Sequence, residues 1–258
     1  MLPDNLHIGP IPIHWFGIFL ALSLLVAGMV LSREFRRSAL SSDQGWETIV
    51  WGAIGGLIGA RLWVIGEQWG TFLESPVRFA FSSGGLAWYG GLAGGTLAAT
   101  LYFRRQSIPW LTGADATAPS LAIGQAIGRI GCQVSGDGDW GQETTLPWGM
   151  AYPNAVVGWD KPPGVLVHPT PIYEFVAYAA VFLYLLKLRG RAPAPGTSFG
   201  SYLVLVGIAR FLVEFVRINP RVVAGLTLAQ IVSALVVVIG VWLIARARRP
   251  TPQLITAQ

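Results

Sequence analysis

Seven apolar runs, each about as long as a helix that crosses a bilayer, dominate the sequence. A helix needs about 20 mainly apolar residues to cross the hydrocarbon core. Because lipid offers no partner for backbone polar groups, such runs predict helices rather than irregular chain. We therefore predict an all-α, polytopic integral membrane protein. Its seven transmembrane helices lie near 12–32, 46–66, 86–103, 114–134, 171–188, 197–217 and 225–246.

The composition agrees with a membrane location, because 53% of the residues are hydrophobic and only 12% are charged. The net charge of +5 is also compatible with nucleic-acid binding. However, the basic residues lie in short clusters between the apolar runs, as in loops that contact anionic head groups. We therefore expect membrane lipids as partners and no nucleic acid. The run that begins at Ile11 lacks a basic leader and a cleavage site, so we interpret it as a retained span.

The third and fourth runs are rich in Gly and Ala, which weakens their hydropathy. Small residues let helix backbones approach closely, so these two runs predict central helices that are shielded from lipid. We expect close helix contacts at glycines 84, 85, 90, 91, 94 and 95.

Lys and Arg are unevenly distributed between the loops. Eleven follow runs one, three, five and seven, whereas the opposite side has only Arg78, Lys161, Arg217 and Arg221. The positive-inside rule then places the N-terminus outside and the C-terminus in the cytoplasm. This topology predicts a single membrane domain over 1–250, an extracytoplasmic loop over 135–170 and a disordered tail over 251–258. Residues 138–168, with Trp140, Trp148 and Trp159, would form a small cap above the site.

Three arginines fall inside the apolar runs. A central arginine costs roughly 2.5–3.5 kcal/mol on insertion scales and therefore faces a partner or a polar cavity. Arg61 lies near the outer end of its run, where its side chain can reach the interface. Arg129 and Arg210 have acids nearby, and the stretch "GIARFLVEFVR" puts Arg210, Glu214 and Arg217 on one helix face. A purely structural pair between Arg210 and Glu214 remains an alternative.

Two further stretches carry polar groups at run boundaries. "HPTPIYEF" places Tyr173 and Glu174 at a helix start, where an acid also favours the helix dipole. "GRIGCQVSGDGDWG" ends a helix in glycines and continues with Asp137 and Asp139, although a solvated turn would look the same. If these groups converge, they favour an anionic, amphiphilic ligand, because guanidinium binds phosphate in bidentate geometry.

Two nucleophilic or basic candidates have simpler explanations. The only cysteine, Cys132, excludes an internal disulfide framework and a Cys-based zinc cluster. A thiol buried in apolar surroundings is usually inert, so we do not expect a covalent intermediate on Cys132. His14 stands where a helix begins and is interpreted first as a hydrogen-bonding residue.

Six motifs in order resemble the prolipoprotein diacylglyceryl transferase family over residues 8–245. They are "GPIPIHWFGI", "GGLAWYGGLAGG", "ADATAPSLAIGQAIGRIG" with "SGD…WG", "HPTPIYE", "GIARFLVEFVR" and "LTLAQIVS". The resemblance implies transfer of the diacylglyceryl group of phosphatidylglycerol to the lipobox cysteine thiol of a prolipoprotein. A thioether forms and glycerol 1-phosphate leaves. It also implies a multi-pass protein of the bacterial cytoplasmic (inner) membrane, with no cofactor and no metal.

The resemblance also assigns roles to residues of this chain. Arg129 would hold the lipid head group, and Arg210 would stabilise the leaving phosphate with Glu214 orienting it. Tyr89 occupies the position of a catalytic side chain. The expected substrate-binding residues are Arg129, Asp137, Ser135, His14, Gln125, Tyr173, Glu174, Arg217 and Gln230.

Several positions depart from the family pattern. Tyr89 replaces a histidine that is usual in the third span, and tyrosine hydroxyls ordinarily ionise near pH 10, about three units too high for a good base at neutral pH. Phe16 stands where tyrosine is common, and Cys132, Gln133, Ser135 and Asp137 stand where Asn, Phe, Asn and Glu are usual. Either the base lies elsewhere, or catalysis depends mainly on electrostatics and positioning.

Two other classes of function remain as alternatives. A non-catalytic relative that binds phospholipid or lipoprotein would explain the departures, but it would not need all of the retained charges. A transporter would also need charges in the membrane. Transporters often show two similar halves with broken helices, and this sequence shows no such symmetry.

Overall fold

A computed structural model describes residues 5–8, 11–80 and 87–248, and most of them are helical. The chain divides into two compact units. The first contains Met1–Val30 and Ala114–Gln258, and the second contains Leu31–Gly113. The prediction of one membrane domain over 1–250 stays a prediction. The predicted disordered tail lies outside the described residues.

The described elements alternate long helices with short connections. Two strands, β1 (Asn5–Ile8) and β2 (Ile11–His14), pair antiparallel before the first helix. The nine helices of the described residues are α1 (Trp15–Arg37), α2 (Ser42–Glu67), α3 (Trp69–Glu74), α4 (Pro76–Ala80), α5 (Trp88–Arg105), α6 (Trp110–Ser135), α7 (Thr170–Arg189), α8 (Thr197–Val213) and α9 (Leu228–Ala247). A 3-10 turn (Glu214–Val216) follows α8, and the strands β3 (Arg221–Val223) and β4 (Leu226–Thr227) precede α9.

Seven of these helices overlap the seven apolar runs of the sequence. Five of the described helices are long and apolar enough to cross a membrane: α1, α2, α7, α9 and α8 together with its 3-10 turn. The chain is therefore a mostly helical, multi-pass membrane protein. Membrane crossing by α5 and α6, and the predicted orientation of the termini, stay predictions.

In the second unit, α2 and α5 pack with their backbones in close contact. A Cβ atom added to Gly59 would lie 2.8 Å from the Cα of Gly94, and one added to Gly95 would lie 3.1 Å from the carbonyl of Gly52. Gly90 is equally tight against Gly59, so glycine is required at these crossings. The predicted close contacts are therefore confirmed for Gly90, Gly94 and Gly95, whereas a Cβ atom added to Gly91 would make only an ordinary contact at 3.6 Å. Residues 84 and 85 lie outside the described residues.

The start of α2 and the position of Arg61 also follow from local chemistry. Ser41 and Gln44 form a capping box, which satisfies free amide groups at the first turn of α2. The Arg61 guanidinium donates to the carbonyl of Phe79 and lies 5.4 Å from the centre of its ring. This contact with α4 is an interaction that the sequence did not predict, since α3 and α4 were not expected.

In the first unit, α6, α7 and α8 share an apolar core around Ala118, Val181 and Tyr202. The Asp115 carboxylate of α6 accepts the amides of Gly196 and Phe199 at 2.6 and 2.7 Å. A half-buried acid of α6 thereby caps the N-terminus of α8 and ties the two helices together.

The loop from 136 to 169 connects α6 with α7 and has its own small core. The rings of Trp140 and Tyr152 stack at 5.1 Å, and Trp159 packs edge-on against Trp140 at 5.4 Å. Trp140 is buried because it fills this core. Trp148 is exposed. The position of this loop above the membrane stays a prediction.

The end of α8 differs from the sequence prediction. The helix ends at Val213, and the 3-10 turn leaves Arg217 in extended backbone with φ −81° and ψ 161°. Arg217 is therefore not on the face of a continuous helix. Because a 3-10 turn superimposes residues three apart, Arg217 still meets Glu214.

Candidate functional site

A group of charged side chains, here called the arginine cluster, is built from separate segments of the first unit. The group consists of Arg129 on α6, Asp139 in the loop that follows, Glu174 on α7, Arg210 on α8, and Glu214 and Arg217 at its 3-10 turn. Each segment is fixed by its own local structure, so the side chains are positioned before any ligand arrives.

Arg129 lies between two acids of the cluster, Asp139 and Glu174. Its Nε is 3.1 Å from Glu174 Oε2, and its Nη1 pairs with the Asp139 carboxylate. The arginine that the sequence placed at membrane depth therefore meets two acids from two different segments. Such pairing offsets the cost of removing the guanidinium from water.

Arg210 and Arg217 complete the cluster from the end of α8. Arg210 Nη1 lies 2.7 Å from Glu214 Oε2 and 3.5 Å from Glu174 Oε1. Arg217 pairs with the Asp139 carboxylate and donates to the Asp139 carbonyl at 3.1 Å. The structure therefore brings Arg129, Arg210 and Arg217 together, as the sequence predicted.

Glu174 is the shared partner of all three arginines. In addition to the contacts with Arg129 and Arg210, its Oε2 lies 3.6 Å from Arg217 Nη1. The side chain is fully buried, and Tyr178 donates to it at 3.3 Å. A buried glutamate with three cationic neighbours holds the guanidiniums at fixed separations.

The arginine cluster is balanced in formal charge. Three guanidiniums face three carboxylates, which come from Glu174, Glu214 and Asp139. The acids lie between the arginines, within ion-pair distance of them. Neutrality is the favourable state for charges that are largely removed from water.

Some polar atoms of the cluster are buried without a hydrogen bond of good geometry. Within the described part of the chain, they include Arg210 Nη1 and Arg217 Nε. Both nitrogens lie near Glu214 Oε2, which is likewise without such a bond. The second oxygen of Glu214 accepts from the Asn219 amide at 2.6 Å. Both nitrogens are therefore held by charge attraction to Glu214 rather than by well-aligned hydrogen bonds.

Asp139 is the cluster member that the sequence interpretation missed, because it chose Asp137. Its carboxylate bridges Arg129 and Arg217, and its carbonyl accepts from Thr170 and Arg217. Burial raises the pKa of Asp139, but the charges of Arg129 and Arg217 outweigh it and hold the pKa below its usual value. Asp137 has a glycine on each side. Because glycine adopts many backbone conformations, the sequence alone does not show which of the two acids contacts the arginines.

Asp137 has a different environment from Asp139. Burial and the neighbouring charge of Asp139 raise the pKa of Asp137. The Asp137 carboxylate, the Asp139 carboxylate and the Cys132 sulfur lie within 4.8 Å of one another. Although such a trio resembles a set of metal ligands, Arg129 pairs with Asp139 and lies 3.9 Å from the sulfur, so a guanidinium already supplies positive charge there.

A cavity of about 460 Å³ adjoins Asp137. It is lined by His14, Trp15, Phe16, Gly17, Ser135, Asp137 and Val156. Three predicted substrate-binding residues, His14, Ser135 and Asp137, therefore share one cavity. Asp137 connects this cavity with the arginine cluster through its neighbour Asp139.

The remaining predicted binding residues are engaged in structural contacts. Tyr202 donates to Gln125 at 3.0 Å, and Trp148 donates to the Tyr173 hydroxyl at 2.8 Å. Gln230 is buried and forms a capping box with Thr227 at the start of α9. Their roles toward a substrate stay predictions.

Tyr89 belongs to the second unit, where it lies in the first turn of α5. Its ring packs 5.3 Å from that of Trp88 and 6.2 Å from that of Trp63. The role of Tyr89 in catalysis stays a prediction.

Comparison with known proteins identifies the same family along nearly the whole chain. A sequence profile described as prolipoprotein diacylglyceryl transferase matches residues 3–246. Proteins named phosphatidylglycerol–prolipoprotein diacylglyceryl transferase from Trichormus variabilis and Nostoc sp. are each 33% identical, over 99% and 98% of this chain and 94% and 93% of the relatives. The enzyme of that name from Methylococcus capsulatus is 33% identical over 95% of both chains.

Proposed function

The chain belongs to the prolipoprotein diacylglyceryl transferase family, and from this premise we propose how it carries out the transfer. It moves the diacylglyceryl group of phosphatidylglycerol to the lipobox cysteine of a prolipoprotein, the first step of bacterial lipoprotein maturation. The peptide sulfur forms a bond to the terminal glyceryl carbon, and the bond from that carbon to the phosphate oxygen breaks. The thiol proton passes to a base, and glycerol 1-phosphate leaves.

The convergence of Arg129, Arg210 and Arg217 on one buried position is the observation that carries this proposal. The chemistry places additional negative charge on the departing phosphate, and preorganised donors stabilise such developing charge. Three guanidiniums that are already held by the acids of the cluster need little reorganisation to do so. A protein that only bound lipoprotein would not require them.

Arg129 and Arg210 have separate roles in this mechanism. Arg129 is paired with one acid of a helix and one of a loop, and it binds the head group in the ground state. Arg210, which lies beside Glu174 and Glu214 at the end of α8, acts on the leaving phosphate. Glu214 orients Arg210 at 2.7 Å.

The cavity beside Asp137 receives the peptide thiol. Its aromatic lining by Trp15 and Phe16 suits an apolar lipobox segment, whereas His14 and Asp137 can accept the thiol proton. The arginine cluster adjoins this cavity, because the carboxylates of Asp137 and Asp139 lie within 4.8 Å of each other. Gln125, Tyr173, Glu174 and Gln230 support this arrangement from the surrounding helices.

The compartment follows from the substrates and the apolar helices. We place the protein in the bacterial cytoplasmic membrane, with seven spans, the N-terminus outside and the 136–169 loop on the outer side. The excess of Lys and Arg in alternate loops supports this orientation.

A reconstituted transfer assay tests the proposed function. The purified protein is placed in vesicles that contain phosphatidylglycerol, and a lipobox peptide with one cysteine is added. Mass spectrometry should find the peptide heavier by one diacylglyceryl group, with release of an equal amount of glycerol phosphate. A serine in place of the peptide cysteine should abolish the product.

The same assay separates the enzyme from a non-catalytic relative. A protein that binds the peptide and the vesicles but forms no thioether would contradict the proposal. Vesicles that contain only zwitterionic lipid provide the control for the lipid donor.

A further inference from the structure

Asp139 differs from the two other acids of the arginine cluster in its freedom to move. Glu174 and Glu214 are fully buried, whereas the Asp139 side chain is 28% exposed. Glu174 lies inside α7 and Glu214 in the 3-10 turn, but Asp139 lies in a loop. Gly136 and Gly138 before it have φ values of 64° and 92°, a region that few other residues adopt.

Asp139 contacts the two arginines in the way that a phosphodiester would. One carboxylate oxygen pairs with Arg129 and the other pairs with Arg217. A phosphodiester presents two unesterified oxygens with a single negative charge, and guanidiniums bind carboxylate and phosphate in the same forked geometry. Asp139 therefore occupies the position in which a phosphodiester would meet both arginines.

An anionic lipid could bind in addition to Asp139 or in its place, and these two cases differ in the net charge of the arginine cluster. If a phosphodiester were added to the cluster, three positive charges would face four negative charges in a site that is largely removed from water. If it replaced Asp139, the cluster would stay neutral with Glu174 and Glu214. Burial of an uncompensated charge is strongly unfavourable, so replacement is preferred.

We infer that Asp139 is a displaceable counter-ion, which holds Arg129 and Arg217 in the lipid-free protein and yields its place to the phosphate of the incoming lipid. This inference rests on the proposed function and deepens it. The carboxylate then competes again for the arginines when the more highly charged glycerol phosphate must leave. Asp139 is thus a positioning residue that adjusts lipid affinity and product release.

The variant Asp139→Asn tests the inference, because it keeps the shape and the loop but removes the competing charge. The apparent affinity for lipid is lower when only a fraction of the protein has Asp139 displaced and is ready to bind. The variant no longer needs this displacement. We expect the KM for phosphatidylglycerol in vesicles to fall about three- to tenfold. Inhibition by added glycerol phosphate should strengthen in the same range. A KM that is unchanged or raised would overturn the inference.

A matched control is Asp160→Asn, which removes an exposed acid from the same loop. This variant should leave both quantities unchanged, since Asp160 is not part of the arginine cluster. If it lowered the KM as much as Asp139→Asn, the effect would come from the general surface charge, and the inference would be wrong.

A measurement on the unchanged protein covers the case in which the variant does not fold. Hydrogen–deuterium exchange at amides 137–140 should become faster when glycerol phosphate is added, because Asp139 leaves its partners. Slower or unchanged exchange there would contradict displacement. If the unchanged protein binds glycerol phosphate but never forms the thioether, the proposed function fails while the inference about Asp139 can still hold.

Discussion

The arginine cluster and the α2–α5 helix pair are stabilised in opposite ways: the first by paired charged side chains, the second by backbones that pack closely without side chains between them. The helix pair has almost no side-chain atoms at its crossing, where Gly59 and Gly94 bring the backbones into contact. The cluster collects three arginines and three acids, and each charge depends on the others. One region therefore fails when atoms are added, and the other fails when atoms are removed.

This comparison predicts the largest effect at Glu174. Glu174→Ala would deprive three guanidiniums of their shared, fully buried partner, and breaking a buried pair typically costs about 3–5 kcal/mol. We expect a marked loss of folded protein, measured as a lower melting temperature in detergent. Glu143→Ala provides the control, because this exposed acid pairs only with Lys161 among the contacts described, at 2.9 Å, and surface pairs contribute about 1 kcal/mol or less. Equal melting temperatures for both variants would contradict the comparison.

The helix pair predicts a smaller loss from the opposite change. Gly94→Leu forces side-chain atoms into a backbone contact, and overpacking typically costs about 1–3 kcal/mol. Its matched control is Gly66→Leu on α2, where an added Cβ meets nothing within 4 Å. Because leucine favours helix over glycine, the control should melt at the same or a higher temperature. Comparable destabilisation by both variants would show that the crossing is not tight.

The smallest effect is expected at Tyr89. Tyr89→Phe keeps the ring that packs against Trp63 and Trp88, so stability should not change. Removal of a general base typically lowers turnover by about 10²–10⁴. We expect a much smaller decrease in the transfer assay, because a phenol is a poor base at neutral pH. A decrease within that range would instead assign the proton transfer to Tyr89.

The sequence predicted the helix positions well because long apolar runs and glycine patterns are local signals. Arg129, Arg210 and Glu214 were also identified, since isolated charges in apolar runs require partners. Asp137 was predicted to bind substrate, and this stays a prediction. The arginine contacts of Asp139 were not predicted, because they depend on backbone angles at Gly136 and Gly138 that the sequence does not contain. The 3-10 turn before Arg217 was missed for a similar reason: no proline or glycine marks the end of α8.

Gln125 and Gln230 show that a sequence motif does not separate a structural role from a binding role. Gln125 and Gln230 lie in motifs of the family, so both were predicted to bind substrate. The structure engages Gln125 with Tyr202 and Gln230 with Thr227. A polar residue that stabilises a helix end or a helix contact has the same sequence signature as one that binds a ligand.

The central claim is that Arg129 and Arg210 act on the same phosphate at different stages of the reaction. Arg210→Ala should lower turnover by at least about 10²–10³, the typical loss for one well-placed donor, while lipid still binds. Arg129→Ala should weaken lipid binding as well as turnover. Lysine at 210 should restore part of the rate, because it retains the charge but not the fork. Arg221→Ala, on an exposed strand, controls for the loss of an arginine.

The most direct measurement is therefore the transfer rate and the phosphatidylglycerol affinity of Arg210→Ala, taken on the same preparation of protein in vesicles. We expect a large fall in the rate with an affinity close to that of the unchanged protein. A rate close to normal would contradict it and leave Arg210 as a structural partner of Glu214.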